Sequence, residues 1–264
     1  MAARANAPPR LGGPGGGDSL TGRFAIEADG ETIAVEVTVP AGPCRLQDLL
    51  PVFNDLSDLL ANRAAARARA SGREISCSKG CGACCRQLVP VSQGEAHALA
   101  DLVAAMPARR RQKVHGRFDD AVAALSRAGL LERLHGVAKR PTLAFGLEYL
   151  TADVACPFLL DESCSIHPHR PTACREYQVT SDPRHCAAPT RDTVETVRLE
   201  ASPSGALGRV GGADDGWLPL VLALDFAART APEERTGSAP ELLRDVLAHL
   251  VDHQVGPPDA HRKN

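Results

Sequence analysis

Between Arg23 and Pro40 apolar and polar side chains alternate, placing Ile33, Val35, Val37 and Val39 on one face, and Asp29-Gly30 interrupts the run near its middle. Period-two patterning around an Asp-Gly pair predicts a β-hairpin over residues 22–42. The period then changes. Leu49, Val52, Phe53, Leu56 and Leu60 recur at helical spacing, so a helix is expected over 45–70, with Pro51 in its first turn and Ser71-Gly72 as its stop. Ser92 followed by Glu95 forms a capping box ahead of "QGEAHALADLVAAM". A further helix is expected from Pro107 to about Arg127, and shorter ones around 217–229 and 240–253. Residues 156–186, rich in proline and cysteine, read as loop. The pattern implies an α+β fold, mainly helical, with an N-terminal β-hairpin. The expected organisation is a flexible tail over 1–21, one globular domain over 22–255 and a tail over 256–264. Within the domain, the hairpin (22–42) precedes a cysteine-cluster core (70–190) and C-terminal helices (191–255).

Composition narrows the function. A chain of 264 residues can bury a full core without disulfide staples. A formal net charge of −2 and an aromatic content of 3% argue against a polyanion binder with base-stacking platforms, so no nucleic-acid partner is expected. The longest apolar run, "LPLVLALDFAA", contains Pro219 and Asp225 and falls short of the roughly 20 residues that cross a bilayer. The N-terminal "MAARANAPPRLGGPGGGDSL" has no signal-peptide core, and its "GGPGGG" lacks the Gly-Lys-Ser/Thr ending of a phosphate loop. The expected location is cytoplasmic, without a membrane partner. Thiols stay reduced there and read as metal ligands or redox groups rather than disulfides.

Nine cysteines fall into three sets. Cys44 stands alone and reads as a small buried hydrophobe. Cys77, Cys81, Cys84 and Cys85 crowd into "CSKGCGACC", and Cys156, Cys164, Cys174 and Cys186 are spread over the later loop-rich stretch. Four plus four thiols in two segments imply a cysteine-ligated metal centre, or two, joining the segments. A loop with two or three residues between cysteines curls its sulfurs and backbone N–H groups inward, as thiolates and cluster sulfides require. Gly80 and Gly82 flank Cys81 and permit that curl. With only one C-x2-C hook, zinc and an iron–sulfur cluster both remain open, the cluster being favoured. Adjacent Cys84 and Cys85 fit poorly on one small site, which implies distinct roles. The C-x3-C-x2-C spacing also matches the cluster loop of radical S-adenosylmethionine enzymes, but the alternating strands and helices of their barrel are missing. His167, His169 and His185 are available as ligands but read as surface groups. Arg170 and Arg175 are candidates either for offsetting thiolate charge or for pairing with Asp161, Glu162 or Glu176. Glu95 and His97 read as cap and surface, and "ARRRQKVHGR" (108–117) as a solvated helical face.

The motifs "CSKGCGACCRQLVPVSQGEAHAL" (77–99), "CPFL" (156–159) and "CSIHPHRPTACREY" (164–177), in that order, resemble the CxxCxxCC family, also called YkgJ-type cysteine cluster proteins. The resemblance covers about residues 70–190 and implies a zinc- or iron-chelating domain. It implies Cys77, Cys81, Cys84, Cys85, Cys156, Cys164, Cys174 and Cys186 as metal ligands; His167 stands where such proteins often carry an aromatic. Some similar proteins are flagellin lysine methylases, which implies that the fold can support S-adenosylmethionine-linked modification. The readings carried forward are a metal-binding protein of unassigned role, a redox or modifying enzyme, and a zinc-stabilised interaction module.

Overall fold

Strands β1 (Arg10–Leu11), β2 (Ser19–Ala28) and β3 (Glu31–Pro40) make the N-terminal sheet. The computed structural model describes residues 8–13, 18–28, 30–136, 143–190, 192–210, 216–232 and 236–251. β2 and β3 pair antiparallel from Ser19↔Pro40 to Ala28↔Glu31, in a register that sets Ile26 beside Ile33. Asp29 of the expected turn lies outside the described residues. β1 joins β3 in parallel, Arg10 opposite Glu36, so residues 10–11 and 19–21 belong to the sheet rather than to a tail. The segments 1–7 and 256–264, expected as tails, lie outside the described residues.

The alternation predicted the buried face. Ile33, Val35, Val37 and Val39 are all buried, and each such side chain contributes about 1.5–3 kcal/mol. They pack on Val52, Phe53, Leu56 and Leu60 of α1 (Leu50–Ala70), which a 3-10 turn (Leu46–Leu49) precedes. Pro51 sits in the first turn and Ser71 ends the helix as expected. Gly12 explains how β1 approaches so closely. Its φ is +73°, and a Cβ there would lie 2.5 Å from the Thr38 carbonyl oxygen and 2.8 Å from Val52. The short β4 (Pro43–Arg45) lies between the sheet and α1.

After the first cysteine loop come β5 (Pro90–Ser92), α2 (Gln93–Ala104), α3 (Ala108–Arg127), α4 (Leu131–Gly136) and α5 (Leu143–Thr151). The later cysteine segment is less irregular than its composition implied. It carries the hairpin β6 (Leu159–Leu160) and β7 (Ser163–Cys164), then α6 (Thr172–Glu176) and α7 (Pro183–Ala187). The chain continues through α8 (Pro203–Leu207), β8 (Trp217–Pro219), α9 (Ala223–Arg229), β9 (Thr236–Ser238) and α10 (Ala239–Val251). The expected helix at 217–229 therefore starts as a strand, because Trp217–Pro219 pairs antiparallel with β5. β4 pairs with β9 in the same way. The fold is mainly helical α+β.

Three apolar clusters organise it. One joins the N-terminal sheet, α1, α8 and α10. A second gathers α2, the first half of α3, Phe158, Ile166 and Leu220. The third gathers the end of α3, α4 and α5 with Val221 and Leu222. The cysteine segments lie between the first two.

Candidate metal centre

The cavity cysteines are carried by several separately anchored pieces of backbone. Ser76 ties the start of the first loop to the second segment: its N–H donates to the Val179 carbonyl at 3.0 Å and its hydroxyl to that of Thr180 at 3.1 Å. In return Val179 N–H donates to Cys77 Sγ at 3.4 Å. Gly80, at φ +91°, turns the chain back, and a 3-10 turn (Ala83–Arg86) presents Cys84 and Cys85. Cys156 N–H then donates to the Cys85 carbonyl at 2.6 Å, a direct backbone link between the segments. Within the first loop the N–H groups of Cys81 and Cys85 close local turns onto Ser78 and Gly82, rather than all pointing inward as the curl predicted. Sulfur-facing N–H groups come from the first loop at Cys84 and otherwise from the second segment, at Phe158 and Leu159 for Cys156 and at Ile166 for Cys164.

Ion pairs complete the framework. Arg86 holds both oxygens of Glu162 at 2.8 and 3.0 Å, with Asp153 at 3.1 Å and the Gly82 carbonyl at 3.1 Å. It clamps the first loop onto the Asp161-Glu162 turn, where both residues take positive φ. A Cβ on Gly82 would strike the Glu162 carboxylate and Leu159, so the glycine is needed for space. Cys174 rides on α6, which three elements hold. Thr172 N–H and hydroxyl donate to Glu95 Oε1 at 2.8 and 2.7 Å. Arg175 pairs with Asp58 at 2.6 Å and donates to the Arg170 and Pro168 carbonyls. Glu176 accepts from Ser57, Ser202 and Ser204. Cys186 sits in α7, whose N-terminus Asp182 caps.

Several sequence expectations are corrected. Glu95 and His97 are buried, at 5% and 6% exposure. Glu95 does form the capping box with Ser92, but it also fastens α6. Arg175 pairs with Asp58, not with Asp161, Glu162 or Glu176. The basic run on α3 is not merely solvated: Arg117 Nε donates to the Pro157 carbonyl at 2.6 Å and Arg110 to the Ser165 carbonyl at 2.8 Å. Each arginine grips the residue after a cysteine. Their spacing of seven was the available signal, because it puts both on one helical face. Cys44 is buried as expected, and burial raises its thiol pKa.

Cys77, Cys81, Cys84, Cys85, Cys156, Cys164, Cys174 and Cys186 all line one cavity of about 820 Å³. His167 lines it as well. All nine cysteines are free thiols. Among the described residues, no three His, Cys, Asp or Glu side chains converge tightly enough to hold a single ion. The electrostatics of the metal-free thiols are adverse. Burial, then repulsion from neighbouring thiolates, raises Cys174 well above its ordinary value, and Cys156 goes up to about 12, chiefly through burial. Cys84 moves the other way, to about 7, because the Cys85 thiol donates to it; Cys85 is correspondingly raised. Two further polar atoms in the wall, Arg170 Nε and Gln178 Oε1, are buried without a partner. Eight thiols make a soft donor set, spread too widely for any single ion, and soft metal charge would offset thiolates that cannot all ionise unaided.

Fold and site together define a protein whose cysteines gather around one cavity, and a family match adds metal chelation to that picture. Residues 76–195 match the family described as "CxxCxxCC: Putative zinc- or iron-chelating domain". No curated protein and no solved structure matches the chain. Among the described residues no helix is long and apolar enough to cross a membrane.

Proposed function

We propose that the chain holds a thiolate-ligated metal centre in the 820 Å³ cavity, an iron–sulfur cluster rather than a single zinc ion. The observation that carries this reading is that eight cysteines from two segments, 77–85 and 156–186, line that one space. A lone tetrahedral zinc needs four donors about 2.3 Å from one point. These thiols surround a far larger volume, which suits a polynuclear centre bridging both segments. Cys77, Cys81 and Cys84 from the first segment and Cys156, Cys164 and Cys174 from the second are the candidate holders, with Cys85 and Cys186 beside them. When bound, a cluster supplies one-electron chemistry or an open iron site, whereas zinc would supply cross-linking alone. The protein's own part is to orient the thiols through Ser76, Arg86, Arg110 and Arg117.

Anaerobic purification followed by metal and sulfide analysis tests the reading. The expected product is brown, bleaches in air and contains about one sulfide per iron. Colourless protein with stoichiometric zinc would overturn the cluster and leave a zinc-clipped module.

A further inference from the structure

Three of the arginines at the cysteine segments, Arg86, Arg170 and Arg175, have different surroundings. Arg86 is occupied by Glu162, Asp153 and the Gly82 carbonyl. Arg175 is occupied by Asp58 and the Arg170 and Pro168 carbonyls. Both serve protein acceptors. Arg170 lines the thiol cavity with its Nε buried and without an acceptor. Its backbone is held in place: the carbonyl accepts from Arg175 Nε at 2.9 Å, the N–H donates to the His167 carbonyl at 3.4 Å, and Pro171 follows. Most buried donors in native proteins are satisfied, and an ion or water that accepts is one usual reason for a donor left open by the protein.

The neighbours of Arg170 are thiols. Cys77, Cys84, Cys164 and Cys174 line the same cavity as the Arg170 guanidinium and its charge. The same charge is the main cause of the lowered pKa of His167, which disfavours a cation at that ring and leaves its nitrogens able to accept. A divalent ion on four thiolates carries net negative charge, as do thiolate-held iron–sulfur clusters, and a fixed cation stabilises either.

We propose that Arg170 is the built-in counter-charge of the metal centre, donating its buried Nε–H to a metal-bound sulfur. The proposal rests on the metal-centre reading above. It separates Arg170 from Arg86 and Arg175, which act on the scaffold: Arg170 contacts the centre itself. Lysine would restore the charge but not the directed N–H, because a point ammonium cannot reproduce the guanidinium geometry.

The test is cobalt(II) titration of anaerobic, metal-free protein, comparing wild type, R170K and R170Q in competition with a chelator. Thiolate-to-cobalt charge-transfer absorption reports the centre, and thermal unfolding of the metal-free forms controls for folding. The expected result is at least tenfold weaker cobalt binding with a displaced charge-transfer band in R170Q. R170K should bind with intermediate affinity, and metal-free unfolding should be unchanged in both. Equal affinity in wild type and R170Q would overturn the proposal. So would R170K failing as badly as R170Q with a matching loss of metal-free stability, which would mark a structural role. Should R170Q not fold, R170K decides alone, and affinity equal to wild type overturns the directed bond. If wild type shows no thiolate-to-cobalt absorption, the comparison passes to the iron and sulfide content of the three anaerobically purified proteins, and their absence from wild type too fells the metal-centre reading and takes this one with it.

Discussion

Cys84 and Cys85 share a peptide bond but not an environment. Cys84 accepts from the Cys85 thiol, and its charge reaches Cys77, Cys156, Cys164, Cys174 and Cys186 around the cavity. Cys85 also borders a second, much smaller crevice with Tyr149, Pro157 and Val221. Cys84→Ser is therefore expected to lose most of the bound metal, and Cys85→Ser to keep most of it. Metal analysis of the two purified variants checks this, and equal loss in both would make them equivalent ligands. At this scale the thiol set was legible, because the spacing C-x3-C-x2-C-C and the later cysteines picked out residues that line one cavity. What the cysteines rest on was not. That Glu95 spans from its own capping box to Thr172, 77 residues on, depends on a tertiary neighbour that no local pattern encodes. The same holds for the Arg175–Asp58 pair, which joins α6 to α1 across 117 residues.

Among the elements, α3 has a face that ties it to the site. Val114 and Phe118 bury its apolar stripe, and Phe118 meets Phe158 edge-on at 5.4 Å. Beside that stripe Arg110 and Arg117 hold the carbonyls that follow Cys164 and Cys156. The R110A/R117A double variant should loosen both cysteines at once and weaken metal binding about tenfold, in line with other supporting contacts around metal ligands. R109A is the matching control on the same helix. Metal competition on the three proteins checks this, and an unchanged double variant would return the basic run to a solvated face. Elements with a sustained period were readable: β3, α1, α2, α3 and α10 follow directly from spacing, caps and stops. The five-residue helices α6, α7 and α8 were not. Isolated helices that short do not form, so their partners specify them: Glu95 for α6, and Ser202 with Glu176 for α8. β8 was misread because "WLPLVLAL" is apolar at every period, and only pairing with β5 decides between strand and helix.

The whole molecule divides its stability unevenly. The first apolar cluster, built from the N-terminal sheet, α1, α8 and α10, contains Cys44 but none of the eight cavity cysteines. The second includes Phe158 and Ile166, with Cys156 and Cys164 packed at its edge. Loaded, the centre would cross-link loop 77–85 to segment 156–186. Without metal, the two segments are joined by the Cys156–Cys85 backbone bond, the Ser76 contacts, Val179 N–H to Cys77 and the Arg86 clamp, the last partly exposed. Ion pairs with so exposed a partner are screened by water and contribute little. Binding free energy at such a centre therefore appears as local order rather than as the fold itself. Hydrogen exchange on loaded and chelator-treated protein is expected to show amides in 76–90 and 156–187 exchanging at least tenfold faster after metal removal. Amides of β3 between Ile33 and Val39, and of α1 between Phe53 and Leu60, should keep their protection, since their burial owes nothing to the thiols. Loss of protection throughout in one step would mean that the sheet and α1 depend on the centre, and the division into a self-sufficient core and a metal-ordered site would fail.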